Sequence, residues 1–539
     1  MLVYSENKVD FIEDVKNNVI HTRILDSMKA KSFHGVGNAE INSWRNSMQF
    51  MRNVLEDDAI PVDSTVSIEF TIPMSSKRID LIVSGFDENR KDSAVIVELK
   101  QWSDVEPTSK DGIVKTFVGG SHREVSHPSY QAWTYKQLLQ DFNLAVQEMN
   151  IGLEACAFLH NLDSPNIIKS SFYKEHLEKS PVFISNESDK LASFIKKYIK
   201  YGNSKTMYYI ENSKLRPSKD LADSLGSMLE GNLEFTLIDD QKLVYETSLD
   251  LANKAQDLNK EVLIVEGGPG TGKSVVAINL LVELTKKDFV TQYVSKNAAP
   301  RHVYSAKLAG KVPVGRIRNM FKGSGSFINS DLNDFDGLIV DEAHRLNEKS
   351  GFYGTDGENQ IKELIKAAKF TVFFVDEDQR VTFDDIGSKD EIIKHANYLG
   401  ASVTELKLES QFRCNGSDGY LAWVDDVLGI RETANEMLDL SQYDVEVFTN
   451  PRSMQTKIEE LNSQRNRARL VAGYCWNWAS RRDSSKNDIE FPEYGFAAQW
   501  NLSGDNTWIM SEGSVEQVGC IHTSQGLELD HVGVIIGED

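Results

Sequence analysis

No C-x-x-C pair occurs among the four cysteines, Cys156, Cys414, Cys475 and Cys520, which lie far apart in a chain of 539 residues. That scatter argues against a zinc ribbon or a cysteine-held iron–sulfur cluster and makes a reduced, cytoplasmic setting the expectation. No apolar run approaches the roughly 20 residues needed to span a bilayer, so a membrane partner is not expected. The opening Met1-Leu2-Val3-Tyr4-Ser5-Glu6-Asn7-Lys8-Val9-Asp10 lacks the basic and apolar regions of a signal peptide and does not resemble a transit peptide. Positive charge is also short: 59 basic against 81 acidic side chains leave a net charge of −22. Such a balance excludes a nonspecific polyanion coat but not a local basic channel. One stretch, Lys196, Lys197, Lys200, Lys205, Lys214, Arg216 and Lys219 with Tyr198, Tyr201, Tyr208 and Tyr209 between them, fits a solvated helix face as well as nucleic-acid contact. What remains is ordinary: 40% hydrophobic and 26% charged residues, with length enough for about three or four domains.

The chain is organised around Gly267-Gly268-Pro269-Gly270-Thr271-Gly272-Lys273-Ser274. An apolar run, Val262-Leu263-Ile264-Val265, precedes it, and Val275-Val276-Ala277-Ile278 resumes with helical character after it. Strand, glycine loop and helix in that order form a phosphate-binding loop. Its backbone N–H groups and helix N-terminus face the negative oxygens of ATP, Lys273 reaches the β- and γ-phosphates, and the Ser274 hydroxyl holds Mg²⁺. Further on, Leu338-Ile339-Val340 deliver Asp341 and Glu342 to the carboxyl end of a buried strand. Asp341 is placed to bind Mg²⁺ through water and Glu342 to position the attacking water.

Upstream, residues 1–60 read mostly as helix, with Ile41, Trp44, Met48, Met51 and Leu55 on one apolar face. Strand patterns follow at Val66–Phe70, Ile79–Val83 and Ala94–Lys100. Glu98 and Lys100 are two apart on a strand and leave the same face, where a hairpin partner carrying Asp80 would bring a second carboxylate. Two carboxylates and a lysine on one face can hold Mg²⁺ or Mn²⁺ through oxygen and stabilise charge on a phosphate; a surface ion pair is the plainer alternative. His127-Pro128 opens a helix on which Gln131 and Tyr135 stand one turn apart.

In this order, Asp80 with Glu98-Leu99-Lys100 resembles the PD-(D/E)XK nuclease fold, and Gln131-x-x-x-Tyr135 is similar to the third motif of RecB-type exonuclease domains. The resemblance implies Asp80 and Glu98 on metal, Lys100 near the attacking water, and Gln131 and Tyr135 in support. Glu40, on an early helix, is a weaker candidate for a further ligand.

The carboxyl-terminal motifs resemble those of superfamily 1 helicases of the UvrD and RecB group. Gln241 resembles the adenine-reading Q motif, and Lys296-Asn297-Ala298-Ala299-Pro300-Arg301 resembles motif Ia, which meets the nucleic-acid backbone. Asp376-Glu377-Asp378-Gln379-Arg380 resembles motif III, in which Gln379 senses the γ-phosphate. Gln411-Phe412-Arg413 resembles motif IV and implies Arg413 as an arginine finger, a salt-bridge arginine being the alternative. His522-Thr523-Ser524-Gln525-Gly526-Leu527-Glu528 resembles motif V, with Thr523 and Ser524 on the strand backbone and Glu528 on ribose. The spelling of the set is most similar to the Schlafen-related branch, over residues 230–539, with the nuclease resemblance covering 30–145.

The expected architecture is therefore α/β: a restriction-endonuclease-like unit over 1–220, a RecA-like P-loop domain over 221–400, and a second RecA-like domain over 401–539. The last reads as incomplete, because the chain stops at Gly533-Val534-Ile535-Ile536-Gly537-Glu538-Asp539 where the family continues into motif VI. A truncated product or partial reading frame is the expectation. The expected function is an ATP-dependent helicase or translocase fused to a metal-dependent nuclease. Its substrate is nucleic acid, single-stranded DNA ahead of RNA, in repair or in defence against foreign DNA. The alternatives are a nucleotide-gated nucleic-acid-binding protein with an inactive nuclease-like scaffold and an ATP-driven switch without nucleic acid. No residue points to a protein partner.

Overall fold

Tyr4–Asn7 (β1) pairs antiparallel with Thr65–Thr71 (β2), so the amino terminus begins with an edge strand that the helical pattern of residues 1–60 does not disclose. Arg78–Phe86 (β3) and Asp92–Lys100 (β4) continue the antiparallel run. Ile113–Val118 (β5) and Ser121–Ser126 (β6) make a separate hairpin. Gly152–Leu159 (β7) then returns parallel to β4, and Val182–Ile184 (β8) parallel to β7. The six-stranded sheet has the order β1-β2-β3-β4-β7-β8. Helices cover both faces: Lys8–Lys16, Ile20–Ala30, Asn38–Leu55 and Ser188–Tyr198 pack on one, and Pro128–Phe142 with Thr206–Glu211 on the other. In Asn38–Leu55, Trp44, Met48, Met51 and Leu55 are buried as their helical spacing predicts.

The second sheet is wholly parallel. Its strands are Glu261–Gly267 (β9), Thr291–Val294 (β10), Phe321–Lys322 (β11), Phe335–Val340 (β12), Ala368–Val375 (β13) and Ser402–Leu408 (β14), in the order β11-β10-β12-β13-β9-β14. Val262, Leu263, Ile264 and Val265 are all buried, the mark of a strand covered on both faces. Asp240–Asp257, Lys273–Lys286 and Ala298–Leu308 lie on one side, Gln360–Ala367 and Lys389–Tyr398 on the other. β13 stands between β9 and β12, so the carboxyl ends of three neighbouring strands converge beside the glycine loop.

β14 departs from the expected arrangement. A new domain was expected from residue 401, yet Ser402–Leu408 pairs in register with β9, Leu408 opposite Gly267. Asp240 holds its end, accepting from the amides of Glu409 at 2.6 Å and Ser410 at 3.0 Å. Beyond it, Ala468–Ala472 (β15), Val518–Gly519 (β18) and His531–Ile535 (β19) form a parallel sheet in the order β18-β15-β19, and Ile489–Phe491 (β16) pairs with Phe496–Ala498 (β17).

The computed structural model describes residues 2–30, 37–72, 75, 77–202, 205–213, 221–230, 232, 234–257, 259–350, 356–380, 382–410, 418–429, 438, 444–501, 507–524 and 527–537. Arg413, with Gln411 and Phe412, lies outside them, as do Gln525 and Gly526 and the Arg216–Lys219 stretch. No helix among the described residues is long and apolar enough to cross a membrane.

Candidate functional site

The glycine loop turns twice through backbone that only glycine adopts without strain: Gly270 has φ 78° and Gly272 φ 85°. A Cβ on Gly267 would stand 2.7 Å from Thr271 Oγ1 and 3.1 Å from Leu408 Cβ, so that position must be bare for β14 to dock. The helix Lys273–Lys286 starts directly after Gly272. Lys273 is buried, and its ammonium donates to Gly267 O at 2.5 Å, Gly268 O at 2.9 Å and Asp376 Oδ2 at 3.2 Å. A phosphate chain entering the loop competes with those two carbonyls for the same donors.

Asp376 ends β13, and its Oδ2 accepts from Gln379 Nε2 as well, at 2.7 Å. One carboxylate oxygen thus joins the phosphate-loop lysine to the glutamine expected to sense the γ-phosphate. Ser274 Oγ donates to Asp341 Oδ2 at 2.8 Å, and Tyr293 OH donates to the same oxygen at 2.7 Å. Burial raises the Asp341 pKa, and the neighbouring Glu342 charge raises it further. Serine hydroxyl and buried carboxylate, brought together from separate segments, form an all-oxygen set that fits Mg²⁺. Glu342 takes a left-handed φ of 54°, a strained conformation for a side chain of its size. Its Oε2 lies 3.1 Å from His344 Nε2, while His344 Nδ1 accepts from Asp376 N at 3.2 Å. The imidazole thus stands beside Glu342 and, through its bond from Asp376 N, links the ends of β12 and β13. On the far side of the loop, Gln241 Nε2 donates to Thr271 O at 3.1 Å.

The expected strand-contacting residues are placed less uniformly. The helix Ile521–Ser524 packs against Ala298–Leu308, so motifs Ia and V are neighbours. Asn297 is buried, with an unpartnered Nδ2. Thr523 Oγ1 donates to Cys520 O at 2.8 Å and Ser524 Oγ to the same carbonyl at 3.3 Å, so both hydroxyls are engaged on their own backbone. Glu528 is exposed.

In the first sheet, β3 and β4 align Leu81 with Val97, which puts Asp80 beside Glu98. Asp80 Oδ2 accepts from Leu99 N at 2.7 Å, and Lys100 Nζ donates to Glu98 Oε1 at 2.7 Å. Glu98 Oε2 is buried with no hydrogen-bond donor. Burial pushes the Asp80 carboxyl up to about 6, against the pull of Lys100; burial and the Asp80 charge push Glu98 up to about 8. Burial alone would lower Lys100, but Glu98 and Asp80 outweigh it and leave it raised. Two carboxylates in dry surroundings are stable only with a shared proton or a cation, so the pair fits a divalent ion by its donor chemistry. From the following helix Gln131 Nε2 donates to Tyr135 OH at 2.7 Å. The structure thus brings Gln131 and Tyr135 together, and Asp80, Glu98 and Lys100 likewise. The two groups meet electrostatically: burial first and then the Asp239 charge raise the Tyr135 hydroxyl, and the Glu98 and Asp80 charges add to this.

Glu40 stands further out, accepting from Arg78 Nη2 at 2.6 Å; Arg78 also pairs with Glu69 at 3.1 Å. Glu69 is a buried carboxylate that the strand alternation passed over, although a charge inside a strand was the signal for it. Lys77 and Asp239 were also missed. Asp239 Oδ2 accepts from Tyr135 OH at 3.0 Å and pairs with Lys77 Nζ at 3.3 Å. His344 and Asp376 sat within recognised motifs without roles. Among the described residues, three metal-type ligands within 4.8 Å of one another occur at Asp104, Glu106 and His122, a group at the β5–β6 hairpin with Asp104 and His122 exposed.

Residues 260–539 match a family model described as Schlafen group 3, DNA/RNA helicase domain. Over 314 residues the chain is 23% identical to an uncharacterized protein of Saccharomyces cerevisiae, YPL245W, covering 51% of this chain and 68% of that one. Among solved structures, AMPPCP-bound DnaA from Aquifex aeolicus aligns at 18% identity and a TM-score of 0.20, over 44% of this chain and 65% of that one. The SWI2/SNF2 ATPase core of Sulfolobus solfataricus in complex with dsDNA aligns at 8% identity and a TM-score of 0.22, over 55% and 87%. Likeness at such TM-scores supports no functional argument.

Proposed function

The chain belongs to the Schlafen group 3 DNA/RNA helicase domain family, and on that premise we propose that it is an ATP-driven motor on nucleic acid joined to a metal-dependent nuclease. The observation that carries the motor is the sharing of Asp376 Oδ2 by Lys273 and Gln379, beside the Ser274–Asp341 pair. In this reading Lys273 leaves the loop carbonyls for the β- and γ-phosphates and lets Gln379 follow. Glu342, with His344 beside it, receives the proton of the attacking water. Bound Mg²⁺ supplies charge neutralisation on the phosphates, held by Ser274 and Asp341. Gln241 reads adenine, and Arg413 completes the site from the carboxyl-terminal RecA-like unit, which we place after Ser410. Asn297, Thr523, Ser524 and Glu528 face single-stranded DNA, or RNA, with Thr523 and Ser524 released from Cys520 O.

For the nuclease, the support is the buried Asp80–Glu98–Lys100 group with Gln131 and Tyr135 behind it. Asp80 and Glu98 hold Mg²⁺ or Mn²⁺, and Lys100 orients the water. Repair or defence against foreign DNA is the role such a fusion suits. A second reading, an inactive scaffold on a nucleotide-gated binding protein, is favoured by one observation: Glu98 is already satisfied at Oε1 by Lys100.

The deciding experiment measures Mg²⁺- and Mn²⁺-dependent cleavage of single- and double-stranded DNA with and without ATP, and ATP turnover alongside. Wild type is compared with Glu98→Ala and Lys273→Ala. Cutting lost only in Glu98→Ala and turnover lost in Lys273→Ala is the expected pattern. Turnover unchanged in Lys273→Ala removes the motor reading. DNA-stimulated turnover without any cutting selects the scaffold.

A further inference from the structure

One short turn touches both sites. Ile238 O accepts from Gln241 N at 2.9 Å and Ile238 N donates to Gln241 Oε1 at 3.4 Å, closing a loop of four residues. Inside it Asp239 is held at φ 41°, left-handed backbone that a non-glycine residue adopts only where its surroundings impose it. Each of the three residues after Ile238 points to a different part of the molecule. Asp239 reaches the first sheet through Tyr135 and Lys77. Asp240 caps the end of β14 through Glu409 N, Ser410 N and Ser410 Oγ. Gln241 reaches the phosphate loop at Thr271 O. Further bonds pin the turn to the first sheet's side: Ser126 Oγ donates to Asp239 O at 3.1 Å, and Tyr130 OH donates to Leu237 O.

The side chain of Asp239 is largely buried, 12% exposed, and its Oδ1 has no partner. It is close enough to the Asp80–Glu98–Lys100 group that its charge raises both Glu98 and Lys100. A buried carboxylate oxygen without a donor carries an uncompensated desolvation cost, so an arrangement that supplies a donor is favoured. The adenine amino group needs an acceptor, and Gln241 Oε1, held only by the long bond from Ile238 N, is the weakest-held acceptor of the turn. Taking that oxygen frees Ile238 N and removes the weaker of the two bonds that close the turn around Asp239, leaving the one from Gln241 N to Ile238 O.

We propose that the Ile238–Gln241 turn is a coupling element through which nucleotide bound at Gln241 repositions Asp239, and with it Tyr135 and Lys77, at the carboxylate pocket of the first sheet. The inference rests on the nucleotide and metal readings given under the proposed function. Coupling of this kind is reciprocal: metal in the pocket changes nucleotide affinity by the same factor as nucleotide changes metal affinity. Asp239, Tyr135 and Lys77 act as positioning residues, since none need touch the substrate.

The test is hydrogen exchange on the full chain in four states: free, with Mg²⁺, with Mn²⁺, and with Mg²⁺ plus a nonhydrolysable ATP analogue. Nucleotide is expected to change amide protection in residues 78–84, 96–102 and 128–138 as well as in the loop at 266–276. In Asp239→Asn the loop response remains and the response of the three pocket segments is lost. Tyr135→Phe, which keeps the buried ring and removes only the hydroxyl, gives the same loss. The proposal is overturned if the wild-type pocket segments do not respond while the loop does, or if they respond equally in both variants. Failure of the loop itself to respond overturns the nucleotide reading and the coupling with it. Failure of Mn²⁺ alone to protect the pocket segments overturns the metal reading and leaves the coupling to the nucleotide arm.

Discussion

Two lysines stand beside buried carboxylate pairs in this molecule, and they are held in opposite ways. Lys273 opens the helix after the glycine loop, bonded to two backbone carbonyls and to Asp376, while the Asp341–Glu342 pair one strand further along is left to other partners. Lys100 sits on a strand and is bonded to Glu98, one member of the very pair it would serve. The first arrangement gives up its bonds to neutral oxygens at little cost when phosphates arrive. The second is an ion pair in a dry pocket, whose breaking leaves a buried charge uncompensated. The nucleotide site is therefore set for its ligand, whereas the first-sheet pocket depends on something that moves it.

The largest effect expected from this contrast is a clean exchange of phenotypes. Lys273→Ala should lower ATP turnover by on the order of 10²–10³, the scale of losing a charged transition-state donor. Lys100→Ala should do the same to metal-dependent cleavage, and, with cleavage assayed without nucleotide and turnover without added metal-pocket substrate, each should leave the other activity within about twofold, a small fraction of a charged hydrogen bond's worth. If Lys100→Ala also slows turnover severely, the two regions are one site energetically and the contrast breaks. Next comes Asp376→Asn, which keeps the shape and removes the charge shared by Lys273 and Gln379. Turnover should fall about 10- to 100-fold, with a smaller change in KM, because a charge-assisted bond worth about 1.5–3 kcal/mol is weakened. An effect confined to KM would mean that Asp376 only anchors Lys273.

The contrast also explains what could be read from the chain before its fold was known. The glycine loop was legible because Gly270 and Gly272 need left-handed backbone that other residues avoid, and because its parts are contiguous. Asp341 and Glu342 were legible for the same reason, at the end of an unbroken apolar strand. The pocket was legible only in outline: strand parity placed Glu98 with Lys100, but the hairpin register that adds Asp80 is tertiary. Asp239 was beyond reach, being 104 residues from Tyr135, which it meets only when the turn docks on the helix Pro128–Phe142. The place of β14 was hidden too, since a strand's sequence states that it is buried but not beside which neighbour.

Smaller effects sharpen the comparison in backbone terms. Gly272→Ala places a Cβ at φ 85° and should cost about 1–2 kcal/mol at the loop, the price of left-handed backbone for an L side chain. Nucleotide affinity, measured by titration with a nonhydrolysable analogue, should fall about 5- to 30-fold by the same conversion. Because β3 and β4, which carry Asp80, Glu98 and Lys100, contain no left-handed residue, an alanine at Gly152 on the neighbouring β7, whose Cβ would meet Ser93 Oγ at a comfortable 3.6 Å, should leave metal binding unchanged. Loss of metal binding there would show that the pocket is as backbone-dependent as the loop.

The smallest effect expected is one of pH, and it belongs to the first unit alone. His127 caps the helix that carries Gln131 and Tyr135: its Nδ1 accepts from Ser129 N at 3.2 Å, and its Nε2 donates to Ile168 O at 2.9 Å. The cap requires the neutral ring, because only an unprotonated Nδ1 can accept from Ser129 N, whereas Nε2 donates to Ile168 O in either state. Burial holds its pKa down at about 4, and the backbone bond to Ile168 and the opposing charges of Asp111 and His176 alter this less. The unfolded chain, with a histidine pKa of about 6.5, takes up the proton first, so stability falls as pH drops from about 6.5 towards 4. At pH 5.5 the loss is about 1 kcal/mol, since one unit of unmatched protonation is worth about 1.4 kcal/mol. Thermal unfolding of wild type and His127→Asn across this window measures it. Asparagine can cap the helix with its own carbonyl oxygen but takes up no proton, so the variant's curve should be flatter by that amount. Equal slopes would mean that His127 takes up its proton as readily in the folded chain as in the unfolded one, and its place as the cap of the Gln131–Tyr135 helix would have to be given up.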